Sequence, residues 1–201
     1  MHQGVIHLRE ADPVLREVIE RAGPYAIKYH PPVFSTLARS IVSQQLSGRS
    51  AAAIWARLQR AAWPRRLTPG AVLALSADEL RGCGLSAAKA ASLRDLAARA
   101  VKGEIRFRRL SALPDDEVIA RLTPVRGVGV WTAHMFLIFA LRRPDVLPTA
   151  DLGIRNAMAR AYGLSGPPKP AEMERIAAPW QPWRSVACWY LWRSLDNQAA
   201  L

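Results

Sequence analysis

Cysteine is nearly absent from this chain of 201 residues: only Cys83 and Cys188 occur, far apart. Two isolated thiols supply neither a four-cysteine zinc site nor an iron–sulfur loop. A chain of this length buries enough core to fold without a disulfide framework. Long hydrophobic runs are missing too. The longest, Trp131 to Leu141, is interrupted by Thr132 and His134, short of the roughly 18 apolar residues of a membrane span. The amino terminus, MHQGVIHLREAD, lacks the apolar core of a secretory signal. A soluble, cytoplasmic protein with no membrane partner is expected. Strand signals are also lacking, with no sustained alternation and no Asn-Gly or Asp-Gly hairpin turn. Acidic residues are few, 16 against 28 Lys and Arg, for a net charge of +12. That balance favours a polyanionic partner. The basic residues form scattered groups (Arg60, Arg65 and Arg66; Lys102, Arg106, Arg108 and Arg109; Arg142 and Arg143), so a folded surface must collect them.

What is present is helical. Half the residues are hydrophobic, and their spacing has the period of buried helix faces. Val14, Leu15, Val18 and Ile19 follow Asp12-Pro13, an N-cap with proline in the first turn. Phe34, Leu37, Ala38, Ile41 and Val42 form a second stripe. Ala51, Ile54, Trp55 and Leu58 follow a cap at Ser47, and Ser76 to Glu79 has capping-box spacing. Ser86 opens a helix closed by Gly103, and Pro114 opens a short one through Leu122. Further helices are expected over 131–141, 152–162, 170–178 and 182–197. The connectors are short, the longest breaks being 63–70 and 165–170. An all-α fold in two lobes is predicted, with residues 1–32 and 145–201 in a terminal lobe and 33–144 in a central one.

Leu122 to Ala133 reads helix, loop, helix, with Gly127-Val128-Gly129 in the loop. Glycines there allow a tight turn and a close approach. The restarting helix presents unpaired N–H groups with the positive end of its dipole behind them, which suits phosphate. Alone, this segment equally describes a plain interhelical turn. Asp151 lies twenty-two residues beyond Gly129 and precedes another helix. By itself it reads as an N-cap, a location that also favours an ionised carboxylate.

Together these segments resemble the helix-hairpin-helix DNA glycosylase superfamily. The hairpin Val125-Arg-Gly-Val-Gly-Val-Trp-Thr-Ala133 and the turn Pro148-Thr-Ala-Asp151 carry the resemblance. So do Gly23-Pro-Tyr25 with Ile41-Val-Ser-Gln-Gln-Leu-Ser47, Gly84-Leu-Ser86-x-x-Lys89, and Trp180-Gln-Pro-Trp-Arg-Ser185 with Leu191-Trp192-Arg193. They look like the 3-methyladenine DNA glycosylase II (AlkA-like) branch, in a compact form lacking that branch's amino-terminal β domain.

The resemblance implies a two-lobed glycosylase fold with its active site in the cleft between the lobes, and a hairpin spanning about 117–140. Asp151 would be the catalytic carboxylate, stabilising positive charge on the sugar and orienting or deprotonating water. Trp131 stands where glycosylase/lyases carry a nucleophilic lysine, which implies hydrolysis without strand cleavage. The base pocket would draw on Trp131, Trp192, Gln44, Tyr25, Met135 and His134, although His134 also reads as an ordinary packed histidine. Gln45 would fill the gap left by an extruded base. Arg126, Gly127, Val128, Gly129 and Thr132 would form the phosphate-binding hairpin. The backbone carbonyls of Thr123, Val125 and Val128 would hold a structural Na+ or K+, with no cofactor required. The implied partner is double-stranded DNA with alkylated bases, bound by a monomer. Excision of deaminated or oxidised bases, or DNA binding without catalysis, are the competing readings.

Overall fold

The computed structural model describes residues 2–64 and 66–196, the Asp196 side chain excepted; Met1, Arg65 and residues 197–201 lie outside them. Among the described residues there are twelve α-helices and no strand: α1 (His2–Ala11), α2 (Pro13–Ala22), α3 (Phe34–Ser43), α4 (Gly48–Ala61), α5 (Pro69–Ala74), α6 (Ala77–Gly82), α7 (Ala87–Val101), α8 (Asp115–Leu122), α9 (Val130–Phe139), α10 (Leu152–Ala161), α11 (Pro170–Ala177) and α12 (Arg184–Asp196). The all-α expectation holds. Local chemistry sets most starts. Asp12, Ser47, Ser76 and Ser86 each accept a backbone N–H three residues on, and Ser76 with Glu79 closes a full capping box. Each such cap stabilises by about 1 kcal/mol relative to alanine. The last helix begins at Arg184 rather than Pro182, and its predicted final residue, Asn197, lies outside the described residues.

The chain divides into two compact units, residues 1–29 with 137–201, and residues 30–136. In the first, α12 packs against α10 and α2, and α1 packs against α2. Leu8, Leu15, Ile154, Met158, Trp180 and Leu191 form its centre. A buried carboxylate ties this core together: Asp12 accepts from Leu15 N at 3.0 Å, from Trp180 Nε1 at 2.8 Å and from the Tyr162 hydroxyl. Gly4 admits the Trp183 ring so closely that a Cβ there would lie 2.8 Å from it. The carboxy-terminal Trp180 to Ser185 motif is therefore scaffold. Its Arg184 pairs with Asp145, and its Ser185 hydroxyl accepts from Val146 N at 2.9 Å.

In the second unit, α7 is central, packing against α5, α3 and α6. Leu37, Ile41, Leu58, Leu80, Leu93, Leu96 and Leu122 are buried. At about 1.5–3 kcal/mol per buried aliphatic side chain, this cluster is what holds short helices such as α5 and α6 in place.

Candidate functional site

Asp151 caps α10. Its backbone is extended (φ −76°, ψ 115°), and its Oδ1 accepts from Ile154 N at 2.8 Å. The same oxygen accepts from Trp192 Nε1 on α12 at 3.0 Å. Two donors from different helices thus fix the orientation of a carboxylate that is 93% buried, with 7% of its surface exposed. Gly153 makes the arrangement possible: a Cβ there would stand 3.0 Å from Asp151 Oδ1 and 3.3 Å from Trp192 Cδ1. The Trp192 ring stacks on Phe139, with centroids 5.7 Å apart and a 30° tilt. Behind the carboxylate, burial first and then the Asp151 charge push the Cys188 thiol up, so Cys188 is a neutral wall and no nucleophile.

Tyr25, in the same unit, sits edge-on to Trp189 at 4.8 Å and near Tyr190 at 5.9 Å. Its hydroxyl is 3.3 Å from that of Tyr29, and burial followed by this contact raises its pKa. With Arg9, Glu20 and Tyr190 it lines a hollow of about 550 Å³ whose lining includes neither Asp151 nor Trp192 among the described residues.

The second unit holds the hairpin. Gly127 has φ +75°, and a Cβ on it would fall 2.8 Å from Ser92 Oγ, so glycine is required twice over. Gly129 differs: a Cβ there meets nothing within 4 Å, leaving open space in front of the first turn of α9. That turn begins at Val130, where the amides have no carbonyl four residues back within the helix. Val128 N donates to Val125 O at 3.0 Å, Arg126 N to Asp95 Oδ2 at 2.8 Å, and Gln44 Nε2 to Gly127 O at 2.9 Å. Gln44 therefore braces the hairpin. The Val125 carbonyl keeps its second lone pair, so these hydrogen bonds are compatible with the carbonyl set Thr123, Val125 and Val128 facing a monovalent cation.

Arg126 and Gly129 are exposed, Val128 and Thr132 buried, and Trp131 is 42% exposed. Met135 and His134 are half-buried. His134 is no ordinary satisfied histidine: its Nδ1 is buried without a hydrogen-bond partner among the described residues. Burial lowers its pKa, while Asp115 works the other way. Gln45 is exposed and has φ +56°, a conformation rare for a residue with a side chain. Exposed Leu46 stands beside it. Sequence reasoning missed Gly153, Phe139, Ser92 and Asp95; only a glycine two residues after the cap hinted at the close approach of Trp192.

A family profile described as HhH-GPD superfamily base excision DNA repair protein matches residues 38–182. DNA-3-methyladenine glycosylase 1 of Schizosaccharomyces pombe is 32% identical over 195 residues, covering 94% of this chain and 85% of its own. A solved S. pombe 3-methyladenine DNA glycosylase in complex with abasic DNA superposes with a TM-score of 0.82 at 32% identity, over 94% of this chain and 95% of that one. A Bacillus halodurans DNA-3-methyladenine glycosidase structure gives 0.87 at 32% identity, over 98% and 91%.

Proposed function

The chain belongs to the HhH-GPD superfamily of base excision DNA repair proteins, and from that membership we propose that it is a monofunctional DNA glycosylase releasing alkylated bases of the 3-methyladenine and 7-methylguanine type. The observation that carries the reading is the carboxylate of Asp151, held at a helix start by Ile154 N and Trp192 Nε1. Bare DNA binding calls for no carboxylate following the phosphate-binding hairpin, where the charge would repel the DNA. Relatives at about a third identity named for 3-methyladenine excision support the substrate class.

In the reaction, the damaged nucleotide leaves the stack and Gln45 fills the gap. The bond between C1′ and the base nitrogen breaks, and the electron pair goes to the base. An alkylated purine starts cationic and departs neutral, so no strong general acid is needed. The Asp151 carboxylate stabilises the positive charge developing on the sugar. A water oxygen then bonds to C1′ and its proton passes to Asp151 and on to solvent, leaving an abasic site. The indole face of Trp192, beside Asp151, favours a cationic base by about 0.5–2 kcal/mol. Trp131 replaces the lysine that a Schiff base requires, so the strand stays intact. Hairpin amides of 127–132 bind phosphate, and the carbonyls of Thr123, Val125 and Val128 would hold a Na+ or K+, whose charge would favour the phosphate. One monomer acts on one lesion.

The test is incubation with methylated duplex DNA and mass spectrometry of free bases. Release of methylated purines by the wild-type protein, without borohydride-trappable adducts, is expected. Silence across alkylated, deaminated and oxidised duplexes would overturn the enzyme assignment, and a trapped adduct would overturn monofunctional hydrolysis.

A further inference from the structure

One side of α7 grips both the Gln44–Gln45 turn and the hairpin. Lys89, Ser92 and Asp95 are spaced three residues apart, which sets them along one flank of the helix. Lys89 Nζ donates to the carbonyls of Val42 at 2.7 Å and Gln44 at 2.6 Å. An ammonium there satisfies carbonyls that the end of α3 leaves without helical partners, and it complements that end's negative dipole. One turn on, Ser92 Oγ, itself donating to Ala88 O, fills the place a Gly127 side chain would take, and one turn further Asp95 Oδ2 accepts from Arg126 N. The turn and the hairpin are also joined directly, by Gln44 Nε2 to Gly127 O.

The Gln44 carbonyl belongs to the peptide group whose orientation sets φ at Gln45. Holding that oxygen therefore holds Gln45 in its left-handed conformation (φ +56°), which persists only where the surroundings over-determine it. The preceding segment aims the lysine. Gly84, at φ +96°, lies where a Cβ would come within 2.6 Å of Arg57 Nη2 and 3.1 Å of Ile54 Cγ1. Ser86 then caps α7 by accepting from Lys89 N at 3.3 Å. Burial lowers the Lys89 pKa, as expected of an ammonium drawn out of solvent by its carbonyl partners.

We propose that Lys89 is a positioning residue for base extrusion, clamping the Gln44–Gln45 peptide so that Gln45 is presented at a set spacing from the phosphate-binding hairpin. The proposal rests on the reading of Gln45 as the inserted residue and of 127–132 as the phosphate site. It gives the Gly84-x-Ser86-x-x-Lys89 element a purpose: the glycine permits close packing, the serine starts the helix, and the lysine locks the turn.

Two readouts of Lys89→Met test it. The first needs no activity: amide exchange at Leu46, whose N–H donates to Ser43 O at 3.2 Å, should quicken by about tenfold or more while amides of the α7 interior keep their protection. The second is single-turnover excision of 7-methylguanine placed opposite cytosine or opposite a tetrahydrofuran abasic analogue. Excision opposite cytosine should slow by about tenfold, and excision opposite the analogue, where extrusion is easy, should change less than about threefold. Combined with Gln45→Ala, Lys89→Met should add little further loss. Unchanged Leu46 exchange overturns the clamp. Unchanged excision opposite cytosine, or equal slowing on both duplexes, overturns its role in extrusion. Base release by neither wild-type nor variant protein would instead sink the glycosylase reading, with the exchange result still deciding the clamp. Should Lys89→Met fail to fold, Lys89→Gln, which keeps a single uncharged donor group, is read by the same two assays.

Discussion

Replacing Asp151 by Asn separates capping, which the structure shows, from the catalytic role proposed for this side chain. Asn is as good an N-cap as Asp, and its amide oxygen can still accept from Ile154 N and Trp192 Nε1, the two donors now on Oδ1. The fold should therefore lose no more than about 0.5 kcal/mol. The chemistry should suffer far more. A unit negative charge about 4 Å from a developing positive charge contributes roughly 4 kcal/mol at an effective dielectric of about 20. Only part of a full charge builds on the sugar, so a loss of about 2–4 kcal/mol is expected, or roughly 30- to 1000-fold in rate.

Asp151→Ala supplies the contrast. It deletes the cap, costing about 1 kcal/mol, and orphans the Trp192 indole N–H, costing a further 1–3 kcal/mol or so. Its Tm should fall by roughly 4–16 °C. Single-turnover base release from methylated duplex DNA, read beside thermal unfolding, checks both variants. An Asn variant within about threefold of wild-type activity would refute the electrostatic role. An Asn variant as unstable as the Ala variant would refute the claim that capping and catalysis are separable.

Gly127→Ala should destabilise the protein by about 1–3 kcal/mol, through its positive φ and the 2.8 Å approach of the added Cβ to Ser92 Oγ. Adding Ser92→Gly should recover part of that loss; urea midpoints of the single and double variants measure it, and no recovery would mean that Ser92 does not set the hairpin's position. His134 carries a pH dependence. Burial lowers its pKa from 6.5, so as pH falls through about 6.5 the unfolded chain takes up a proton that the folded chain still refuses. Stability should decline over that interval and level off once the folded histidine protonates. His134→Gln should flatten this decline, and identical urea-midpoint profiles at pH 7.5 and 5.5 for both proteins would contradict it.

Features that depend on near neighbours are legible in the sequence. The caps at Asp12, Ser47, Ser76 and Ser86 need only a polar side chain three residues before an N–H, and all four form. The helical stripe from Phe34 to Val42 is buried as its period required, and so are Ala51, Ile54 and Leu58, while Trp55 at the edge of the second stripe is half-buried. Helix α1 escaped notice because few apolar residues mark it; its buried positions are Gly4 and Leu8, and Gly4 matters only because Trp183 packs on it. Helix α5 overlaps the stretch 63–70 expected to be a break, although Thr68-Pro69 is a cap followed by proline at the first position. Six residues are too few for periodicity to register. The bonds from Lys89 to Val42 and Gln44, and from Arg126 to Asp95, join residues dozens of positions apart. No local pattern encodes such pairings.

Asp151, the proposed catalytic carboxylate, shows why a cap and such a group look alike in a sequence. Capping requires one acceptor for one amide, and Ile154 N already meets that need. The Trp192 N–H answers no demand of α10; it is brought from α12 onto the same oxygen, and Gly153 is kept small enough to admit it. Burying a carboxylate is unfavourable unless donors compensate. Asp12 meets the same need inside the core with Leu15 N, Trp180 Nε1 and the Tyr162 hydroxyl, so a second donor from another element does not by itself separate a catalytic carboxylate from a structural one. Asn or Ser in this position would cap α10 equally well without the desolvation that a buried anion entails. The carboxylate, its imported donor and the missing side chain at residue 153 are therefore one arrangement, and the Asp151→Asn variant decides whether its negative charge is put to use.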